Sequence, residues 1–146
     1  NKSLLILEER MRELADELLI CTDDGACGQK AFVTAPLKAL CERTPNLDLA
    51  VVIGPPIMMK FCAETTRPYA VPTMASLNTI MVDGTGMCGG CRVTVGGQTR
   101  FVCVDGPEFD AHQVDFDNMI KRLQAYKGQE HAAGEKCRLE LAQRNR

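Results

Sequence analysis

Four residues near the middle of the chain fall as Asp83-x4-Cys88-x2-Cys91-x11-Cys103. The plant-type [2Fe–2S] spacing is C-x4-C-x2-C…C, and this chain matches it with Asp in place of the first Cys. A compact anionic iron–sulfur core needs donors that converge from several directions and backbone that wraps it closely. Gly84, Gly86, Gly89 and Gly90, within DGTGMCGGC at 83–91, allow that wrap, with positive φ where needed. They also let backbone N–H groups approach the sulfurs, which stabilises negative charge there.

The residues that follow return the chain. Arg92 to Val95 and Gln98 to Val102 alternate in polarity around Gly96-Gly97, a two-residue hairpin signal. With that turn, Val95 faces Gln98, Arg92 faces Phe101 and Gly90 faces Cys103, so Cys103 arrives beside the C-x2-C pair. Ideal pleating puts Cys91 and Cys103 on opposite faces, so the ladder is expected to deform at that end. Asp105-Gly106-Pro107 is expected to end the hairpin.

Other readings of these cysteines compete: incidental buried thiols, a structural zinc held by Cys88, Cys91, Cys103 and Cys137, or a redox-active disulfide at C-x2-C. The dense glycines and the acidic residue at the first-ligand offset favour the cluster. Asp83 has a plainer role available as a turn-former. As a ligand, its carboxylate is a harder donor than thiolate and favours ferric iron, so Asp83 is read as tuning the potential. Gly84-x-Gly86-x-x-Gly89 also fits the dinucleotide fingerprint, but it leads into a hairpin rather than a helix and is set aside. His112 and His131 stand alone. Cys21, Cys27, Cys41 and Cys62 follow no ligand spacing and read as apolar packing residues.

Upstream, the pattern is α/β. Leu4, Leu5, Leu7, Met11 and Leu14 fit a helix with one buried face. Leu18 to Cys21 is strand-like and stops at Thr22-Asp23-Asp24-Gly25, strong turn chemistry. Thr34 is a candidate cap for a second helix, with Pro36 in its first turn and Leu37, Leu40 and Cys41 facing inward. Leu47 to Ile53 reads as a buried strand, broken by Gly54-Pro55-Pro56, which starts a helix through Met58, Met59, Phe61 and Cys62. Val71 to Leu77 reads as a third strand. This alternation argues for a parallel sheet. Ligands bind beyond the carboxyl ends of such strands, where both Thr22–Gly25 and Gly54–Met58 lie. Downstream, Asp115 caps a helix with Phe116, Met119, Ile120 and Leu123 on one face, and the polar tail from Gly128 is expected to be poorly ordered.

Composition narrows the classes. At 146 residues, 45% hydrophobic and 25% charged, the chain is ordinary globular protein. A net charge of −2 gives no electrostatic footprint for nucleic acid, and no apolar run is long enough to span a bilayer. Eight cysteines without an export leader suit metal or redox use better than a disulfide scaffold, so a cytoplasmic setting is expected. The first residues open directly into a helix and read as the interior of a longer protein.

Residues 76–110, SLNTIMVDGTGMCGGCRVTVGGQTRFVCVDGPEFD, closely resemble the C-terminal cluster region of a flavoprotein family. That family includes the small subunit of NADH-dependent ferredoxin:NADP oxidoreductase and the electron-transfer subunit of dihydroorotate dehydrogenase B. ICTDDGACGQKAFVT and VVIGPPIMMKF resemble the second half of the same family's NAD(P)-binding domain.

The resemblance implies a ferredoxin-reductase-like fold: residues 1–79 as the C-terminal half of a nucleotide-binding parallel sheet, 80–114 as a β-hairpin [2Fe–2S] module, and 115–146 as a helix and polar tail. It implies an electron-transfer fragment of an NAD(P)-dependent FAD/[2Fe–2S] oxidoreductase. Thr22, Asp23, Asp24, Gly25, Gly54, Pro55, Pro56 and Met58 match family positions near the nucleotide and would act only in the full protein. Members resembling this chain in having Asp at position 83 are of the ferredoxin:NADP type, whose partner is glutamate-synthase-like. Dihydroorotate-type members carry Cys there and serve a dihydroorotate dehydrogenase, and ferredoxin is a further candidate partner. Neither a flavin barrel nor the glycine-rich first turn of the nucleotide domain is expected within residues 1–146. The fragment alone is therefore expected to be inactive. The reading from a different class is a zinc-bearing interaction module without redox function.

Overall fold

A computed structural model describes residues 2–144, with only the backbone of 139–144. Helix α1 (Glu8–Leu14) is followed by the short strands β1 (Cys21–Thr22) and β2 (Gln29–Lys30), then α2 (Thr34–Arg43), β3 (Ala50–Ile53), α3 (Pro56–Thr66) and β4 (Thr73–Ser76). The hairpin β5 (Arg92–Val95) and β6 (Gln98–Phe101) comes next. It runs into the one-turn helix α4 (Val102–Asp105), strand β7 (Glu108–Asp110), α5 (Phe116–Leu123) and α6 (Lys127–Arg144).

The central sheet has the order β3-β4-β7. β3 and β4 are parallel, pairing Ala50 with Thr73 through Ile53 with Ser76, and α3 makes the crossover between them. Pro55-Pro56 both ends β3 and opens α3, since proline is pre-set for the first helical turn and needs no N–H partner there. β1 belongs elsewhere. It pairs in parallel with β2 alone, as a separate two-stranded ribbon. Of the three strands expected in one parallel sheet, the first, Leu18 to Cys21, thus lies outside it, and the sheet's third member is β7, which adds to β4 antiparallel, with Ala75 opposite Phe109.

This antiparallel edge strand joins the sheet to the hairpin. Ala111 N–H donates to Thr73 O at 2.8 Å, Asp115 N–H to Thr94 O at 2.9 Å, and Val95 bridges Val114. One core spans both: Val52, Met59, Cys62, Ala75 and Leu77 from the sheet side pack with Cys91, Val93, Val102, Phe116 and Met119. Asp115 caps α5 as expected, accepting from Asn118 N–H at 2.9 Å, and Phe116 and Met119 are buried.

Several local expectations change. The apolar face of the first helix is exposed, with Leu4 at 77% and Leu14 at 75%, and α1 buries no residue. β3 is buried on one side only: Val52 is inside while Val51 and Ile53 face out. Val33, not Thr34, occupies the cap position of α2, without a side-chain hydrogen bond. The polar tail is helical as α6, because Glu, Lys, Ala and Gln favour helix even without a buried face. Among the described residues no helix is long and apolar enough to cross a membrane.

Candidate metal centre

The hairpin register is as the turn dictates, Val95 opposite Gln98 and Arg92 opposite Phe101. Past Phe101 the ladder stops. Val102 N–H donates to Cys91 O at 3.2 Å, and residues 102–105 then wind into α4, where the Asp105 carboxylate accepts from Phe101 N–H at 2.6 Å. The extrapolated pairing of Gly90 with Cys103 therefore does not form. The helical turn instead carries Cys103 back over the start of β5, and its Sγ lies 3.2 Å from Cys91 Sγ. The expected deformation resolves the face problem that ideal pleating posed.

Cys91 is 2% exposed, Cys103 half-buried and Cys88 exposed. The set thus runs from the core to the surface. The Cys103 thiol is pushed up in pKa, first by sharing a hydrogen bond with Cys91 and then by desolvation. The Asp83 carboxylate is turned onto its own loop: Oδ1 accepts from Thr85 N–H at 2.9 Å and Oδ2 from Cys88 N–H at 3.2 Å. These donors, Thr85 N–H foremost, hold its carboxyl below the usual carboxylate range. Each carboxylate oxygen keeps a further lone pair, so the turn-forming and ligating roles are compatible. Gly86, at φ +83°, lies against Val104, where a Cβ would sit 3.2 Å from the valine methyl. The loop closes tightly over α4 only with glycine there.

Among the described residues no three Cys, His, Asp or Glu side chains converge closely enough to enclose a metal ion. The arrangement is a sulfur pair, Cys91 and Cys103, with Asp83 and Cys88 joined to each other in the glycine loop. Three thiols and a carboxylate are the right chemistry for iron, and the side not lined by the core is glycine-rich loop. Cys137 is exposed on α6.

Some of the residues expected near the nucleotide line a groove of about 1020 Å³ walled by Cys21, Asp23, Phe32, Pro55, Met58 and Phe61. Asp23, Pro55 and Met58 thus share one surface, while Thr22, Asp24, Gly25, Gly54 and Pro56 do not line it. Thr22 is buried and structural: its hydroxyl donates to Cys27 O at 2.8 Å. Asp24 Oδ1 accepts from Ala26 N–H at 2.9 Å, which lowers the Asp24 pKa. Gly54 packs under the Met58 side chain. Cys41 and Cys62 are buried and Cys21 and Cys27 half-buried. Arg92 and Arg122, absent from any motif, reach the Gly89 and Gly90 carbonyls.

A parallel α/β pair extended by a hairpin and a glycine–cysteine loop is a ferredoxin-reductase-like arrangement, with the loop and hairpin in the place of an iron–sulfur binding module. Residues 78–115 match the family described as the iron–sulfur cluster binding domain of dihydroorotate dehydrogenase B. It is 50% identical over 136 residues to the Thermotoga maritima dihydroorotate dehydrogenase B (NAD(+)), electron transfer subunit homolog, covering 93% of this chain and 48% of that protein. It is 36% identical over 127 residues to the probable dihydroorotate dehydrogenase B (NAD(+)), electron transfer subunit of Methanocaldococcus jannaschii, covering 87% and 47%. Among solved structures it matches a chain of the NADH-dependent reduced ferredoxin-NADP oxidoreductase, reported for insight into flavin-based electron bifurcation. The TM-score is 0.81 and the identity 47%, over 93% of this chain and 48% of that one. The chain spans about half the length of the curated relatives it matches.

Proposed function

We propose that this chain is the electron-transfer portion of an NAD(P)-dependent FAD/[2Fe–2S] oxidoreductase, with Asp83, Cys88, Cys91 and Cys103 holding the cluster. The observation that carries the reading is the Cys91–Cys103 sulfur pair at 3.2 Å, set beside the Asp83–Cys88 loop within a segment of the cluster-binding family. The bound cluster would supply one-electron transfer. The chain's own part is positional: Cys91 anchors the buried end, Cys103 is delivered by α4, and Cys88 and Asp83 close the exposed end.

Residues 1–79, 80–114 and 115–146 are the working divisions. Asp23, Pro55 and Met58 then form part of the wall that faces the nicotinamide nucleotide, completed with FAD by the remainder of the full-length protein. Electrons would leave at the exposed loop, where Met87 and Val82 at 89% and 74% exposure offer an apolar rim to a partner subunit. A glutamate-synthase-like partner is favoured by the family resemblance at Asp83, a dihydroorotate dehydrogenase by the names of the curated relatives. The cytoplasm is the expected setting.

Anaerobic reconstitution with iron and sulfide tests the assignment. The expected product is coloured, contains two irons per chain, and gives an EPR signal on reduction. Cys88→Ser, Cys91→Ser and Cys103→Ser each lose most of the iron, while Cys137→Ser does not. Asp83→Cys moves both midpoint potential and EPR g values. A colourless zinc protein, or iron retained in all three serine variants, would refute the reading.

A further inference from the structure

Two cations hold the dipeptide between Cys88 and Cys91 from opposite elements. Arg92, at the start of β5, donates from Nη1 to Gly89 O at 3.0 Å, and its backbone N–H reaches the same oxygen at 3.4 Å. Arg122, in the last turn of α5, donates from Nη2 to Gly90 O at 3.3 Å. Among the described residues neither guanidinium has a carboxylate within ion-pair distance. Both are directed at the loop.

The peptide unit is planar and trans, so its C=O and N–H point in opposite directions. Holding Gly89 O outward therefore turns Gly90 N–H inward, and that N–H lies 3.4 Å from Cys88 Sγ. Holding Gly90 O toward α5 turns Cys91 N–H away from that helix by the same rule. Gly90 lies close to its neighbours on this path: a Cβ would sit 3.5 Å from Cys88 Sγ and 3.3 Å from Val82.

We propose that Arg92 and Arg122 are positioning residues that raise the reduction potential of the cluster: they aim the Gly90 and Cys91 N–H groups at its sulfurs and place two positive charges beside it. The inference rests on the cluster assignment above. Reduction adds negative charge to the cluster, and hydrogen bonds to sulfur together with nearby cations favour that state.

The test uses the full chain in two states. In the cluster-free chain, NMR hydrogen exchange at Gly90 and Cys91 is expected to quicken severalfold in Arg92→Gln and in Arg122→Gln, while Val93 in the hairpin core is unchanged. In the reconstituted chain, EPR-monitored titration is expected to give a lower midpoint for both glutamine variants at unchanged iron content, with Arg92→Lys recovering most of the loss. Exchange at Gly90 and Cys91 unmoved in both glutamine variants overturns the proposal. So does a midpoint unmoved in both, or an Arg92→Lys midpoint as low as that of Arg92→Gln. If wild-type chain takes up no cluster, the proposed function fails, whereas the exchange result still decides whether the arginines orient the loop.

Discussion

The Cys91 thiol points across 3.2 Å at that of Cys103, joining the start of β5 to α4. An approach of about 1 Å would bring the sulfurs to disulfide distance, about 2.05 Å. In the cluster-free chain, oxidised glutathione is therefore expected to crosslink this pair. One thiol of the pair attacks as thiolate and releases one reduced glutathione; the other, as thiolate, then displaces a second from the mixed disulfide. Each thiol gives up a proton and one electron, and the glutathione disulfide takes both electrons. Intact mass should fall by two hydrogens, and peptide mapping should join Cys91 to Cys103. A crosslink to Cys88 instead, or glutathione adducts alone, would contradict the sulfur arrangement.

A buried polar chain ties the sheet to the cluster-bearing half. Thr66 Oγ1 meets Thr73 Oγ1 at 2.6 Å, His112 Nε2 at 3.0 Å and Ala63 O at 3.2 Å, while Thr73 Oγ1 meets Val71 O at 2.9 Å. Two hydroxyl protons serve only two of these four contacts, and a proton on the imidazole Nε2 serves a third, the most this set of groups can hold. Neutral His112 is thus expected as the Nε2–H tautomer, which 15N chemical shifts report. Thr66 and Thr73 are buried, so Thr66→Val leaves buried partners unmet and should cost about 1–3 kcal/mol in urea unfolding. A loss under about 0.5 kcal/mol would mean the network relaxes without it.

Local chemistry was what the sequence made readable. Gly96-Gly97 sets the β5–β6 register because turn geometry is decided by the turn residues themselves. Gly54-Pro55-Pro56 marks the β3–α3 junction for the same reason. Periodicity is weaker evidence: it tells which face of the first helix is apolar but not what lies against it, so Leu4 and Leu14 were expected inside and are outside. β7 has three residues, too few to show alternation, and its place beside β4 is a tertiary outcome. In the candidate site the cysteine spacing was visible, whereas the α4 turn that unites Cys91 with Cys103 breaks a strand pattern. Arg92 and Arg122 were missed because they act on backbone carbonyls, which leave no mark in spacing.

Lys60 on α3 and Asp117 on α5 form a 2.7 Å ion pair between the sheet layer and the hairpin layer. The hydrogen bond that Lys60 donates to the Asp117 carboxylate raises the Lys60 pKa above the usual lysine range. A raised native pKa means that the charged pair stabilises the fold from neutral pH up to the ordinary lysine value, and that this is lost as pH rises through the native one. The advantage of wild type over Lys60→Met in thermal unfolding should accordingly be constant from neutral to mildly alkaline pH and vanish above the lysine range. It should also shrink in high salt, since Asp117 is largely exposed. An advantage independent of both pH and salt would assign Lys60 a packing role only.

Asp115 decides whether α5 begins where it must. Its Oδ1 accepts from Asn118 N–H at 2.9 Å, and its own N–H is fixed to Thr94 O at 2.9 Å, so the helix starts against β5. From that start, Phe116 and Met119 enter the core, and Arg122 comes two turns on to meet Gly90 O. Asp115→Ala removes the side-chain acceptor and leaves the backbone tie, a loss of about 0.5–2 kcal/mol for a helix cap. Asp115→Asn keeps an acceptor and should lose less. Because α5 has only eight residues, fraying at this end should also loosen the Arg122 contact, so exchange at Cys91 should quicken in Asp115→Ala alongside the drop in urea stability. Stability lost with Cys91 exchange unchanged would mean that the Gly90 carbonyl is held without help from the helix start.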